Sequence, residues 1–174
     1  MEYIKGSGFR LHNTVVTLGK FDGLHLGHKE LIDIVLKTKG LTKVLFTFDV
    51  NPLSILSDKE FKVIETGTER INLMKDSGFD YMIDYPFTKE TINTDADEFI
   101  KTIIHDKLDA KMLVVGTDFR FGKDRLGDVE LLEKRSKEYG YVLKVIEKKK
   151  MYGEVISSTR IRSLIKKGEI RLAN

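Results

Sequence analysis

A chain of 174 residues, of which 41% are hydrophobic, is long enough for one globular core and too short for two well-built ones. A net charge of only +3, from 30 basic and 27 acidic residues, does not by itself favour nucleic acid or a membrane as a partner. The absence of cysteine excludes disulfides, thiolate catalysis and cysteine-based metal sites, and it suits a cytoplasmic protein. The N-terminus lacks an apolar secretory core, and no stretch approaches the ~18 apolar residues of a membrane span. We therefore expect a soluble, unprocessed, cytoplasmic chain.

Apolar, β-branched runs alternate along the chain with segments of helical spacing. The runs cover residues 15–18, 44–48, 81–85, 112–115 and 142–146. Helices are predicted over about 26–39, 68–77, 128–139 and 159–167, each followed by a glycine, and from residue 95 onward. This alternation predicts an α/β protein with a Rossmann-like, doubly wound, five-stranded parallel sheet and helices on both faces. The ligand site of such a sheet lies at the carboxyl ends of its strands.

The segment that follows the first apolar run is the most informative of the chain. Residues 19–28 read Gly-Lys-Phe-Asp-Gly-Leu-His-Leu-Gly-His. Glycines let the backbone approach an anion, and the free amides and positive dipole end of the next helix favour negative charge there. His25 and His28 are three residues apart in the first turn, so both can point ring N–H groups at one phosphate, while Gly27 leaves space between them. Two of the chain's four histidines at this spacing favour a phosphate site over an incidental turn.

A second motif combines three hydroxyl side chains with an arginine. Ser157, Ser158 and Thr159 precede the last predicted helix, and Arg162 follows Ser158 by about one turn. An ordinary helix cap needs only one hydroxyl, although on its own the motif favours such a cap. The hydroxyls, free amides and guanidinium together supply enough donors for a polyphosphate.

Two further strand ends carry polar and aromatic residues. Residues 115–122 read Val-Gly-Thr-Asp-Phe-Arg-Phe-Gly, and residues 46–52 read Phe-Thr-Phe-Asp-Val-Asn-Pro. An aspartate flanked by phenylalanines could hold a flat heteroaromatic ring by hydrogen bonding and stacking, although such phenylalanines are more often core. We expect all these strand ends to open onto one crevice.

In this order, the four motifs resemble the FMN adenylyltransferase module of bacterial bifunctional riboflavin kinase/FAD synthetases over nearly the whole chain. The His-x-Gly-His and Ser-Ser-Thr-x-x-Arg motifs are shared across the nucleotidyltransferase superfamily, whereas Phe-Asp-Gly and Asp-Phe-Arg-Phe-Gly narrow the resemblance to the flavin branch. It implies the HxGH nucleotidyltransferase fold, ATP and FMN as substrates, and Mg²⁺ bound to their phosphates. It also implies a single FMN adenylyltransferase domain over residues 1–174, with the riboflavin kinase domain absent.

The resemblance further implies roles for individual residues. His25, His28 and Arg162 would be catalytic, with the histidines stabilising charge on the α-phosphorus and Arg162 binding the triphosphate and the departing pyrophosphate. The other predicted ATP-binding residues are Gly19, Phe21, Asp22, Gly23, Gly27, Ser157, Ser158 and Thr159. Asp118, Phe48, Asn51 and Phe121 would line the ATP and flavin crevice, with Asn51 standing where the family usually has a histidine. The metal ligands are unknown, and Asp22 and Asp118 are only guesses.

Three alternatives stay open. The chain could transfer an adenylyl or cytidylyl group to another phosphate acceptor, or it could be a non-catalytic nucleotide or flavin-binding module. Nucleic-acid binding ranks third, because it rests only on the basic residues in 148–150 and 160–171. The resemblance also leaves open whether the module stands alone or is joined to a riboflavin kinase domain in a longer natural chain.

Overall fold

A six-stranded parallel sheet forms the centre of the part of the chain that the structure, a computed structural model, describes: residues 1–49 and 62–173. Its strands in chain order are β1 (Glu2–Lys5), β2 (Thr14–Leu18), β3 (Thr42–Phe48), β4 (Tyr81–Tyr85), β5 (Ala110–Gly116) and β6 (Val142–Ile146). They lie in the order β1-β4-β3-β2-β5-β6, and all neighbouring pairs are parallel. From β2 the chain adds β3 and β4 on one side of the sheet, and it then returns to add β5 and β6 on the other side of β2. The crevice at this switch point is the expected place for a ligand.

The central strands are buried on both faces, which explains why they read as continuous apolar runs. Every residue of β2 is buried. Val16, Phe46 and Val115 pack into one hydrophobic core, and their neighbours Val15, Leu45 and Val114 pack into a second core on the other face. Successive strand residues point to opposite faces, so the sheet divides the interior into two layers.

Helices cover both faces of the sheet. On one face lie α1 (Leu26–Lys37) and α2 (Gly67–Lys75), and on the other lie α4 (Ala96–Phe99) and α5 (Val129–Tyr139). Helix α4 continues as a wider π-helix over Ile100–Lys107, in which the amide of Leu108 bonds to the carbonyl of Ile103, five residues earlier. The remaining elements are α3 (Lys89–Ile92), a 3₁₀ turn (Lys123–Arg125), the antiparallel pair β7 (Lys150–Met151) and β8 (Glu154–Val155), α6 (Ser158–Lys166) and α7 (Ile170–Ala173).

The predicted fold class is confirmed, and the predicted number of strands is wrong by one. The missed strand, β1, has the sequence Glu-Tyr-Ile-Lys, and within residues 1–49 and 62–173 it pairs only with β4. An edge strand is covered less than a central one and therefore needs no continuous apolar run. Two of the glycines that were expected to end helices do so with positive φ angles: Gly140 is the C-cap of α5, at 70°, and Gly168 follows the C-cap of α6, at 76°. Helices α1 and α2 end earlier than predicted, with Thr38 and Asp76 as their C-caps. Within the described residues, no helix combines the length and apolar character needed to cross a membrane.

Candidate active site

A cavity of about 650 Å³ opens at the carboxyl ends of the central strands. It gathers residues that are far apart in the sequence, as expected for the switch point of a doubly wound sheet. The predicted site residues that line it are Gly19, Phe21, Asp22, His25, Gly27, His28, Phe48, Asp118, Phe121, Ser157, Ser158, Thr159 and Arg162. Gly23 does not line it, and Asn51 lies outside the described residues.

The turn between β2 and α1 is built on unusual backbone angles. Phe21 and Leu24 have φ angles of 46° and 30°, a region that residues other than glycine seldom adopt. The Phe21 ring is fully buried and lies 5.1 Å from the ring of His28, centroid to centroid. A Cβ on Gly19 would lie 3.2 Å from the Phe21 ring. The buried Phe21 ring therefore packs under the turn and against His28, so a phenylalanine in the motif has a structural role.

Gly23 has a packing role. Its φ angle is 83°, and a Cβ at this position would lie 2.7 Å from the Ile64 side chain. A side chain would therefore cost both backbone strain and a steric clash. Since Gly23 is also absent from the cavity lining, its predicted contact with ATP has no support from the geometry.

His25 and His28 form a stacked pair in the first turn of α1. Their ring centroids are 3.7 Å apart, with 14° between the ring planes. His25 is the N-cap of the helix, because its Nδ1 accepts a hydrogen bond from the His28 amide at 3.3 Å. A Cβ on Gly27 would lie 3.2 Å from the His25 ring, so glycine makes room for this conformation.

The cap bond fixes the tautomer of His25. An Nδ1 atom that accepts a hydrogen bond carries no proton, so the single proton of a neutral His25 ring is on Nε2. The Nδ1 atom of His28 is buried and has no hydrogen-bond partner among the described residues. An orphaned polar atom at this depth is uncommon in a folded protein and marks the pair as a place where a ligand is expected.

Both imidazoles are held neutral. Burial lowers the pKa of His25, and burial together with the neighbouring His25 lowers the pKa of His28 from 6.5 to about 3. Two stacked imidazolium rings would repel each other, so the geometry and the pKa shifts agree. At neutral pH the pair offers neutral N–H donors rather than positive charges.

Acidification from pH 7 to pH 5.5 should destabilise the protein through His28. Its pKa is lower in the folded than in the unfolded state, so the unfolded chain binds the proton first, and stability falls as the pH drops below 6.5. The loss over this interval should be roughly 1 kcal/mol, from a slope that approaches about 1.4 kcal/mol per pH unit. Urea unfolding at both pH values should give a larger loss for the wild type than for His28→Asn. Equal losses would contradict a neutral, buried His28.

Asp22 joins three separate parts of the site. Only 4% of its surface is exposed. One carboxylate oxygen accepts hydrogen bonds from the amides of Ile64 and Glu65, at 2.8 and 3.3 Å, and the other accepts from Arg162. The Asp22 carbonyl accepts a hydrogen bond from the Ser158 hydroxyl at 2.7 Å. Asp22 thus fixes α6 against the turn that carries the histidines.

The three hydroxyls at the start of α6 have three different partners. Ser157 is the N-cap and accepts a hydrogen bond from the amide of Arg160 at 3.3 Å. Ser158 binds the Asp22 carbonyl, and Thr159 accepts a hydrogen bond from the Arg162 guanidinium at 3.3 Å. The expected helix cap is therefore present, and the other two hydroxyls orient α6 and its arginine toward the cavity.

The described residues contain no ready-made cluster of side chains for a Mg²⁺ ion. Both carboxylate oxygens of Asp22 are already bound to amides and to Arg162, so the guess that Asp22 is a metal ligand does not fit. Asp118 is exposed and forms an ion pair with Lys148 at 2.8 Å. No group of three or more histidine or acidic side chains placed to hold a metal occurs among residues 1–49 and 62–173.

Four phenylalanines, Phe48, Phe87, Phe119 and Phe121, line another part of the cavity and are called the aromatic wall. Phe48 packs edge-on against Phe87, with 5.2 Å between ring centroids, and Phe119 stacks on Phe121 at 5.5 Å. The backbone of Phe121 exchanges two hydrogen bonds with Gly127, which closes the loop after β5. Phe121 itself is buried, so it serves the core as well as the wall.

Sequence motifs did not identify several residues of this cavity. Lys20, Tyr85, Phe87, Arg125 and Lys148 all line it. Lys20 and Phe87 each follow a strand closely, so a search for polar and aromatic residues at all strand ends would have found them. Arg125 and Lys148 lie farther along loops, where no local pattern distinguishes them from surface residues.

The sequence analysis also missed Arg70, which does not line the cavity but binds the strand ends next to it. Its guanidinium donates to the carbonyls of Lys20 and Phe48, at 3.1 and 3.3 Å, and to the buried carboxylate of Asp84 at 3.1 Å. One side chain from α2 therefore ties the ends of three strands together. No spacing in the sequence of α2 points to this role.

Fold and cavity together define an α/β protein whose crevice holds stacked histidines, helix-start hydroxyls and an arginine beside an aromatic wall. Comparison with known proteins agrees with this description. The family model for FAD synthetase matches residues 9–160. The chain belongs to the FAD synthetase family.

Several curated relatives match most of the chain. It is 35% identical to a bifunctional riboflavin kinase/FMN adenylyltransferase of Buchnera aphidicola from Acyrthosiphon pisum, over 93% of the chain and 53% of the relative. Identity to the Escherichia coli K12 protein of the same name is 31%, over 91% of the chain and 52% of that protein. A Listeria monocytogenes FAD synthetase is also 31% identical, over 91% of the chain and 66% of its own length. The chain thus spans about half the length of the first two relatives.

A solved structure has the same fold. The crystal structure of a macrolide-efflux protein from Streptococcus pneumoniae superposes with a TM-score of 0.83 at 28% identity, covering 99% of the chain and 60% of that protein. The whole described architecture therefore has an experimentally determined counterpart.

Proposed function

We propose that this chain is an FMN adenylyltransferase, which transfers the AMP part of ATP to the phosphate of FMN and gives FAD and pyrophosphate. The observation that carries the proposal is that one cavity contains the stacked histidines, the start of α6 with Arg162, and the aromatic wall. These are the features needed to hold a triphosphate and a flat ring side by side. Membership of the FAD synthetase family supports the same reaction.

The proposed chemistry is a direct in-line displacement. A phosphate oxygen of FMN attacks the α-phosphorus of ATP, a new P–O bond forms, and the bond to the bridging oxygen breaks so that pyrophosphate leaves with the electron pair. A phosphomonoester is largely a dianion at neutral pH, with a second pKa of about 6, so the nucleophile needs no general base. The protein's task is then to position two anions and to stabilise charge as it spreads over the α-phosphate.

Each part of the site has a role in this proposal. The neutral rings of His25 and His28 donate hydrogen bonds to the α-phosphate, and the Nε2–H of His25 is ready to do so because its Nδ1 is used by the helix cap. Arg162 and the amides at the start of α6 bind the β- and γ-phosphates, which become the leaving group. Gly19 and Gly27 allow close approach, and Asp118 borders the nucleotide. Phe48 and Phe121 line the place for the flavin ring.

Mg²⁺ enters the proposal only as a companion of ATP. When bound to the phosphates it would reduce the repulsion between the two substrates. Because both carboxylate oxygens of Asp22 already accept hydrogen bonds, we assign no protein ligand to the Mg²⁺ ion.

The decisive test is to incubate the purified chain with ATP, Mg²⁺ and FMN and to separate the flavins by chromatography. We expect FAD and an equal amount of pyrophosphate. Parallel reactions with CTP, and with other phosphorylated acceptors in place of FMN, test transfer of a different group or to a different acceptor. Tight binding of ATP without FAD formation, at varied metal and pH, would contradict the enzyme and favour a non-catalytic binding module.

A control with riboflavin tests the proposed domain content of residues 1–174. Apart from the short β7–β8 pair, all described strands belong to one sheet, and the aromatic wall is part of the same cavity as the phosphate motifs. We therefore propose that riboflavin and ATP alone give neither FMN nor FAD, and that a riboflavin kinase, separate or joined in a longer natural chain, supplies FMN. Formation of FMN in a preparation free of other kinases would contradict this. The cytoplasmic location stays a prediction.

A further inference from the structure

Lys20 is a half-buried lysine in the cavity that none of the motifs explains. It follows Gly19 at the end of β2 and lines the cavity. Among the described residues, its ammonium group makes no hydrogen bond or ion pair. Burial lowers the pKa of Lys20, and the guanidinium groups of Arg125 and Arg162 lower it further, while Asp22 opposes them. The Asp22 carboxylate is already bound by Arg162, so it forms no direct ion pair with Lys20.

Arg125 lines the same cavity as Lys20, from the loop after β5. It lies in the 3₁₀ turn, where Asp124 and Arg125 have φ angles of 52° and 59°. Two successive residues in this region are energetically unfavourable and persist only where their surroundings impose them. Here the turn is closed by the paired backbones of Phe121 and Gly127 and by the bond from the Arg125 amide to the Gly122 carbonyl at 3.1 Å. The loop thus holds Arg125 at the cavity, whereas its neighbour Lys123 does not line it.

Lys20 and Arg125 lie where the aromatic wall meets the phosphate motifs. The Arg70 guanidinium binds the carbonyls of both Lys20 and Phe48, which fixes Lys20 beside the wall. Arg125 belongs to the loop that begins with Phe121, another residue of the wall. Arg162, from the phosphate motifs, is also near enough to Lys20 to lower its pKa.

We propose that Lys20 and Arg125 form a second anion subsite, which binds the phosphate of the acceptor molecule. The inference rests on the proposed function and adds the residues that hold the nucleophile. The ligand class is a phosphomonoester attached to a flat aromatic ring system, with the ring against the wall and the phosphate between the two cations. In that position the phosphate faces the histidines and Arg162 across the cavity.

Electrostatics explains why such a subsite is needed. An acceptor dianion and a triphosphate repel each other strongly when brought close, and cations placed between them offset this repulsion. The triphosphate already has donors of its own in the histidines, the start of α6 and Arg162. Of the other cations that line the cavity, Arg120 and Lys148 form ion pairs with Asp128 and Asp118. Lys20 and Arg125 adjoin residues of the aromatic wall, which favours the acceptor rather than the nucleotide as their ligand.

Riboflavin and FMN differ only by the phosphate, so they make a matched pair of probes. We would titrate each into wild type, Lys20→Gln and Arg125→Gln and follow quenching of flavin fluorescence, and measure ATP affinity separately by calorimetry. The control is Lys123→Gln, which removes one charge from the same turn outside the cavity. We expect FMN to bind about 10-fold more weakly to each cavity variant, the scale of one hydrogen bond to a charged group, with riboflavin affinity unchanged. The control should behave as wild type.

Other results would overturn the subsite. Equal weakening of FMN and riboflavin would mean that the variants disturb the wall, and weakening of ATP alone would assign the two cations to the nucleotide. Unchanged FMN affinity in both variants, or a wild type that binds neither flavin, would also overturn it. The proposed function is judged separately by FAD formation, which could fail while FMN still binds through Lys20, or succeed while Lys20→Gln keeps the full preference for FMN.

Discussion

Replacement of His28 with alanine should lower the rate of FAD formation by about 10² to 10³, the effect of removing one donor that stabilises charge in a transition state. The His28 ring is stacked on His25 and supported by Phe21, so its place in the turn is fixed before any ligand binds. A donor fixed in advance does not have to be ordered during the reaction. The loss should therefore appear in kcat, and the affinity for FMN should change little.

His12→Ala is the matched control for this prediction. The His12 side chain is 74% exposed and lies away from the cavity lining. The same substitution there should leave FAD formation unchanged. Because His28 also packs in the turn, urea unfolding of both variants is needed to separate lost catalysis from lost structure. A folded His28→Ala variant as fast as wild type would remove the histidine motif from the mechanism.

Replacement of Arg162 with alanine should weaken ATP binding as well as slow the reaction. A guanidinium on the leaving phosphates contacts them in the ground state and in the transition state, so kcat/KM should fall by about 10- to 150-fold, as for loss of a strong charge-assisted hydrogen bond. The variant should also be less stable. Arg162 and Asp22 are both largely buried, and removal of one partner of a buried ion pair costs about 3–5 kcal/mol because the other charge is left behind.

A second substitution separates these two effects. Asp22→Asn in the Arg162→Ala background removes the stranded charge, so it should recover much of the stability without restoring ATP affinity. Arg160→Ala is the matched control, because Arg160 belongs to the same helix but pairs with Glu154. Calorimetric titration with ATP and urea unfolding measure the two quantities. If Arg162→Ala binds ATP as tightly as wild type does, the proposed role of α6 is wrong.

Strands and helix ends could be predicted from the sequence where the residues of the element itself determine its structure. A strand buried on both faces must be apolar throughout, so the central strands were readable, whereas β1 needs no such run and was missed. The ends of α5 and α6 could be predicted because Gly140 and Gly168 adopt a backbone angle that other residues avoid, whereas α1 ends at Thr38, where no such signal stands. The π-helical widening after α4 was not readable, because the same apolar spacing suits an ordinary α-helix.

The same distinction applies to the site. The histidines and hydroxyls were found because each motif lies within one turn of a helix. What joins them was not found, since the Asp22 carboxylate meets Arg162 only after the sheet has formed. Lys20 lies inside the first motif, but only the structure shows that it lines the cavity. The partners of Asp22 also altered an interpretation, because a carboxylate with all its oxygens engaged does not fit the metal ligand that its position had suggested. Asn51 lies outside the described residues, so its role stays a prediction.

The bonds from α6 to the first turn have a consequence for how the protein is made. Ser158 and Arg162 reach back across 136 and 140 positions of the chain to Asp22. During synthesis all six strands leave the ribosome before α6 does, so the sheet can form while the phosphate pocket is still incomplete. Contacts across so long a stretch of chain form slowly compared with local contacts. A nucleotide bound between the histidines and α6 would therefore hold together two segments that are made far apart in time.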